Sequence, residues 1–363
     1  MEVLASSGRL DMIQVLKEHG ISASNRVIDV AASEGHVAII KYLTETTNCS
    51  ATFNAMDSAA AKGYLDVVKY LHEYRIEGCT KRAMNNASAN GHLEVVKFIH
   101  ENRVEGCTTD AMDMAAANGH LEVVKFLHFN RFEGCSFKAM NNAAMNGHLE
   151  VVKFLNTSRR EGCSSEAATR AAANGHAEII EFLHKHRGEA FTADAIDQAA
   201  LNGHLNIVKF LHESRREGCT TTAMDMAAAN GHLEIVHYLH YNRSEGCTHQ
   251  AIDSAAENGH MNIVSFLHHN RTEGCSKKAM DSASANGNLQ MVAFLHHNRT
   301  EGCSQRAIND AVILGHVSIV AFLCENRRMS PNLKATLRAK ADGHSVVTDY
   351  LHSISKPSIV SLN

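Results

Sequence analysis

The chain has 363 residues, with 35 Lys and Arg against 39 Asp and Glu and a net charge of −4, so it carries no basic surplus for a nucleic-acid backbone or an anionic membrane. No apolar run approaches the roughly 20 residues of a membrane-spanning helix. The first twenty residues carry acids where a signal peptide would be hydrophobic, and no proline-rich linker divides the chain, whose two prolines are Pro331 and Pro357. The expectation is a soluble, cytoplasmic, monomeric protein with no nucleic-acid or membrane partner.

A turn glycine recurs every 28 residues from Gly35 to Gly343, with Gly8 one residue out of step. A period of this size held along a chain marks a stacked repeat array. Residues 1–20 read as a shortened first helix, a Ser7-Gly8 turn and a second helix ending near His19, either a terminal cap or the worn edge of a longer array. Residues 21–49 form a divergent repeat with Ile28, Val30, Ile39 and Ile40 in the core. From about 52 to 328 the repeats are close copies of residues 107–126, CTTDAMDMAAANGHLEVVKF. In that copy Thr108 is read as an N-cap, its hydroxyl accepting from a free amide of the first turn. The same place holds Thr80, Ser136, Ser164, Thr192, Thr220, Thr248, Ser276 and Ser304. Met112, Ala115 and Ala116 follow at helical spacing, and the small alanines admit a neighbouring helix. Asn118-Gly119 ends this helix and His120 starts the next, whose Leu121, Val124 and Leu127 form a stripe flanked by Val123 and Phe126, with Glu122 and Lys125 outside.

Neither helix can bury its apolar stripe inside one hairpin, so the copies must stack on one another. The predicted fold is all-α, an elongated α-solenoid of about thirteen stacked helical hairpins, on the order of 100 Å long if layers lie roughly 8–10 Å apart. It is expected to be one domain over 1–363: divergent repeats at 1–51, regular repeats at 52–328, a capping repeat at 329–353 and a tail at 354–363. Around 188–211 the turn departs most, reading Gly188-Glu189-Ala190-Phe191 where other copies have a residue followed by Glu-Gly-Cys. Beyond Arg328, Ser330-Pro331 reads as a helix start, cap then proline, and residues 356–363 as a frayed end.

The run AAANGHLEVVKFL resembles the ankyrin repeat, whose two helices meet at a Gly-His turn followed by paired valines and leucine. Repetition in register about a dozen times makes the resemblance specific. Two features depart from the family: segments such as Asp110-Ala111-Met112-Asp113 replace its Thr-Pro-Leu-His opening, and the period is 28 where the family's is 33. The missing residues fall where an ankyrin repeat builds its projecting β-hairpin finger, so truncated fingers and a nearly all-helical stack are expected. The resemblance gives the turn histidines, among them His36, His120, His148, His176 and His316, a structural role.

Three columns of chemically active side chains recur. Eight of the ten cysteines share one column, from Cys79 to Cys303. One layer of about 8–10 Å exceeds the α-carbon separation a disulfide tolerates, and a single file cannot surround a metal, so reduced, buried, structural thiols are expected. Histidines end the second helices at His72, His100, His128, His184, His212, His240, His268 and His296, where the helix C-terminus is expected to raise their pKa mildly. Arginines at Arg75, Arg103, Arg131, Arg187, Arg215, Arg243, Arg271, Arg299 and Arg327 resemble a phosphate stripe, but a glutamate follows most of them by two residues, and ion pairing between repeats is the better reading. No catalytic, cofactor or metal site is expected.

Positions that vary among the copies are free of the stack's demands. The dipeptide after each N-cap varies most: Lys81-Arg82, Thr109-Asp110, Phe137-Lys138, Ser165-Glu166, Ala193-Asp194, Thr221-Thr222, His249-Gln250, Lys277-Lys278 and Gln305-Arg306. In addition Phe129, Phe132 and Phe137 stand around one inter-repeat turn where other copies are mostly polar or small. Grouped aromatics on a surface mark an interface. The leading expectation is a non-catalytic scaffold that binds a protein through its concave face and inter-repeat turns. The alternative is an adaptor that delivers a substrate to a larger enzyme such as a ubiquitin ligase.

Overall fold

The computed structural model describes residues 1–355; the frayed end read at 356–363 lies outside the described residues. Among the described residues 26 α-helices follow one another and no strand occurs, so the fold is the all-helical hairpin array expected, without a β-hairpin finger. The chain forms two compact units, Met1–Phe191 and Thr192–Asn363. Within each, first helices pack on first helices of the neighbouring repeats and second helices on second helices.

The repeat at Thr109–Ala117 and Leu121–Asn130 shows how residues dictate this packing. Met112, Ala115 and Ala116 on the first helix and Val123, Val124 and Leu127 on the second are buried. Each large apolar side chain removed from water in this way contributes roughly 1.5–3 kcal/mol. Between the helices Gly119 takes φ +78°, and a Cβ placed there would sit 2.6 Å from Nδ1 of His148 in the next repeat. Glycine is therefore required twice, for its left-handed backbone and for the ring that lies on it.

The caps form a chain of links between repeats. Ser136 Oγ accepts from the Lys138 N–H at 3.2 Å, capping its own helix. Its N–H and hydroxyl also donate to the two carboxylate oxygens of Asp113, in the middle of the preceding first helix, at 2.8 and 2.6 Å. Asp57, Asp197, Asp225, Asp253 and Asp281 hold Thr80, Thr220, Thr248, Ser276 and Ser304 in the same way. Asn85 and Asn141 replace the carboxylate in two repeats: the Asn85 amide donates to Thr108 Oγ1, whose proton then goes to Asp110, and the Asn141 amide donates to Ser164 Oγ. This interlock was not foreseen.

Four local readings need correction. Val30 is only half-buried, and Val27 joins Ile28 in the core instead. Residues Gly188–Ala190 form a 3-10 turn, and Thr192 is not the N-cap of the following helix: Ala193, in the αR region and without a side-chain acceptor, precedes Asp194–Leu201. Near the end of the chain the cap is Asn332, whose side chain accepts from the Ala335 N–H, and Ser330-Pro331 lies before the helix rather than in its first turn. The last helix, Ser345–Ser355, runs two residues past 353.

Candidate partner-binding surface

Each regular inter-repeat turn is built on one arginine and one glutamate. Arg131 leaves the second helix in an extended conformation, and its guanidinium donates to Glu133 through Nε at 3.2 Å and Nη2 at 2.5 Å. Glu133 Oε1 accepts in turn from the Cys107 N–H of the preceding repeat at 3.3 Å. The guanidinium also covers Gly106, which has φ +72° and whose Cβ would stand 2.7 Å from Nη2. Arg103 with Glu105, Arg243 with Glu245 and Arg299 with Glu301 repeat the pattern, as does Arg159 with Glu161, a pair the sequence reading passed over. The ion pair expected between repeats thus lies within one repeat. A partner two residues away is within reach of a single turn, and the link between repeats goes from the paired glutamate to a backbone amide. Burial opposes the charge on Glu133, but Arg131 and the amides hold its carboxyl down at about 2.

The histidines that end the second helices point into the stack. His268 lies edge-on to Phe294 of the next repeat, ring centroids 5.6 Å apart, and its Nδ1 is 3.4 Å from Arg299 Nη1. His100 meets Phe126 and Arg131 in the same way, and His212 meets Tyr238 and Arg243. A guanidinium can only donate, so Nδ1 stands as the acceptor in these contacts. The expected rise in pKa is wrong where a shift is resolved. Burial, then His269 and Arg299, lower that of His268; burial, then Arg271, lower that of His240; burial, then Arg327, lower that of His296. Desolvation and the adjacent cation outweigh the helix dipole. The turn histidines hold the backbone of the repeat before them: His176 Nε2 is 3.0 Å from the Met145 carbonyl and His316 Nε2 is 2.9 Å from that of Ala285.

In this column Cys79, Cys107, Cys135 and Cys247 are free and buried, and Cys219, Cys275 and Cys303 are free and half-buried. Burial first, and a neighbouring glutamate second, push the thiols of Cys79 and Cys247 up to about 12 and those of Cys107, Cys135, Cys219 and Cys275 to about 11. At neutral pH they are unreactive thiols.

The variable dipeptides open the first helices and face water. Lys81, Arg82, Lys138, Ser165, Glu166, Asp194, His249, Gln250, Lys277, Lys278 and Arg306 are exposed, as is Asp110, while Thr109 is half-buried. In the second compact unit Lys278 pairs with Glu257 at 2.9 Å and Arg306 lies 3.8 Å from Asp310, around a cleft of about 320 Å³ that Asp281 also lines. Among the described residues no cluster of three or more His, Cys, Asp or Glu is placed to hold a metal, and no helix is long and apolar enough to cross a membrane.

Phe129, Phe132 and Phe137 are 73%, 91% and 48% exposed. Phe129 lies against His128 and Phe154, Phe132 against the Arg131 guanidinium at 5.5 Å, and Phe137 opens its helix at Phe137–Met145. Among the described residues no ring pair joins two of the three. Two exposed neighbours of the same column escaped the sequence reading: Ile76 and Val104 precede Phe132 by two repeats and one, and both are fully exposed. Aligning the copies by their turn glycine would have found them, since the column reads Ile76, Val104, Phe132, Arg160.

A profile described as ankyrin repeats in three copies matches residues 140–225, 169–253 and 196–281. A second, described as ankyrin repeats in many copies, matches 56–100, 87–128 and 112–155, so that the two together span 56–281. No curated protein matches the chain.

Proposed function

Since the chain belongs to the ankyrin repeat family, whose repeats are generally protein–protein interaction modules, we propose that it is a non-catalytic, cytoplasmic scaffold, monomeric, that binds a protein rather than a nucleic acid or a membrane. Contact is made through the exposed first turns of the first helices and through the inter-repeat turns. The observation that carries this reading is the exposure of Phe129 and Phe132, 73% and 91%, at one inter-repeat turn of the stack. Rings held out in water offer a partner large contact area at low entropic cost, and aromatics dominate interface hot spots.

The test is affinity capture from cell lysate at physiological salt, with the intact chain against a Phe129→Ser, Phe132→Ser, Phe137→Ser variant whose helicity matches by circular dichroism. The expected result is one protein retained by the intact chain and lost from the variant. Identical captures by both would remove the phenylalanines from the site and direct attention to Lys81, Arg82, Lys277 and Lys278.

A further inference from the structure

We propose that the row Ile76, Val104 and Phe132 is a docking edge for one amphipathic helix of a partner protein, a helix whose apolar residues recur at heptad spacing. The proposal rests on the scaffold reading above and names the kind of segment that scaffold takes. The three residues occupy one position in three successive turns with the same backbone: the preceding arginines have φ −132°, −127° and −127° and ψ 149°, and the glycines two residues on have φ 73°, 72° and 74°. Identical backbones at a fixed repeat present the side chains in one direction. All three stand at least nine-tenths exposed. The stack makes no use of them, because the turn is held by the Arg–Glu pair and the glycine.

Spacing excludes a strand, and spacing with shape selects the occupant. Layers of packed helices lie about 8–10 Å apart, and seven residues of α-helix advance about 10.5 Å. Three knobs one layer apart therefore meet successive holes on a helix surface, each hole framed by four side chains of one heptad, as in coiled coils. A β-strand repeats its same-side residues at about 6.7 Å and falls out of step by the third knob. A polyproline helix repeats at about 9.3 Å but is recognised in aromatic-walled grooves, not by a ridge that starts with isoleucine and valine.

Size and charge narrow it further. With Tyr74 and Phe129 at its flank the row offers on the order of 600 Å² of side-chain surface, taking about 150 Å² or somewhat more for each aromatic ring. A stable association of folded proteins uses about 800 Å² on each side, so the row suits a single segment better than a second copy of this chain. Exposed Glu73 and Glu101 end the second helices on one margin; on the other, exposed Lys81, Arg82 and Lys138 open first helices, with Asp110 the one exposed acid among those openings. The matching helix carries basic residues along one flank of its apolar stripe and acidic residues along the other.

The test selects a phage-displayed library of random 20-residue segments on the immobilised full chain, then measures the most enriched peptides in solution against the intact chain and a Val104→Ser, Phe132→Ser variant. The expected result is enriched sequences with apolar residues at heptad spacing and basic and acidic flanks. These peptides gain helicity on binding and bind the variant at least tenfold more weakly, while its circular dichroism is unchanged. Proline-rich or non-periodic winners, no enrichment, or equal binding to both proteins overturns the proposal. So does a dimer in sedimentation that the double substitution dissociates. If the lysate partner is still lost from the triple phenylalanine variant while no heptad sequence is selected, the scaffold reading stands and the helix does not.

Discussion

The turns of the first compact unit and those of the second share one architecture and differ at one position. In the first, Ile76, Val104 and Phe132, followed by Arg160, precede the glutamate of the clamp; in the second, Arg216, Ser244, Thr272 and Thr300 do. Arg131 with Glu133 and Arg243 with Glu245 are the same fork, and the glycines of both sets have φ between 67° and 75°. A position that accepts isoleucine, phenylalanine, arginine, serine and threonine on one backbone is not used by the fold. Three neighbouring apolar residues there, exposed to water, point to selection for something outside the stack. Stability and recognition are thus separable down to adjacent residues, Glu133 serving one and Phe132 the other.

The largest effect is expected where the two units are alike. Asp113→Ala and Asp225→Ala each leave the N–H and hydroxyl of a cap in the following repeat, Ser136 or Thr248, without their buried acceptor. Each is expected to cost about 2–3 kcal/mol, and the two losses should agree within about 1 kcal/mol. Urea unfolding with hydrogen exchange resolved by repeat is the measurement, because a repeat array need not unfold in one step. Unequal losses would mean that the interlock differs between the units and that their turns are not equivalent frames.

Next comes recognition. Val104→Ser with Phe132→Ser should weaken a bound helical peptide at least tenfold, about 1.4 kcal/mol. The reciprocal change, Ser244→Val with Thr272→Phe, should give the second unit a peptide-binding edge that titration calorimetry detects. A second unit that stays inert after this graft would show that the flanking charges of the first carry more of the binding than its apolar row.

The pH response follows from the histidines. Burial and the neighbouring arginines hold His240, His268 and His296 below their ordinary pKa of 6.5. As pH falls, the unfolded chain takes up these protons first, so stability is intact above about pH 6.5 and declines as pH drops below it. His268→Phe should flatten that decline in the second unit, read as the thermal midpoint between pH 7 and 5. An unchanged slope would place the sensitivity elsewhere.

What the residues disclosed in advance, and what they hid, follows the range of each interaction. Period, turn glycines, hydroxyl caps and paired valines act within a few residues and could be read directly. The Asp113–Ser136 interlock could not, since a mid-helix aspartate looks solvent-facing until the next repeat is laid against it, and Asn85 and Asn141 disguise the column. Arg131 and Glu133 were visible as a pair, but not that the pair turns inward and holds the Cys107 amide. The fall in pKa at His268 needed the neighbouring Arg299 and Phe294 in place. At the candidate surface the phenylalanines stood out as large residues in a polar column. Ile76 and Val104 did not, because their significance is their exposure and their register, and both come from the stack.

The smallest predicted effect discriminates most sharply. Phe132→Ser removes a ring 5.5 Å from the Arg131 guanidinium, and an exposed cation–π contact is worth about 0.5–1 kcal/mol at most. Arg131 already directs its donors to Glu133 and His100, and the serine restores hydration to the turn, so the net loss should be no more than about 0.5 kcal/mol in urea unfolding. Arg216→Ser, at the matching turn of the second unit, should be equally mild. A loss near 2 kcal/mol for Phe132→Ser alone would make the ring part of the clamp: the apolar row would then be a feature of folding in the first unit, and its exposure would no longer argue for a partner. A loss within the expected bound leaves recognition as the remaining reason for three apolar side chains to stand in water one layer apart.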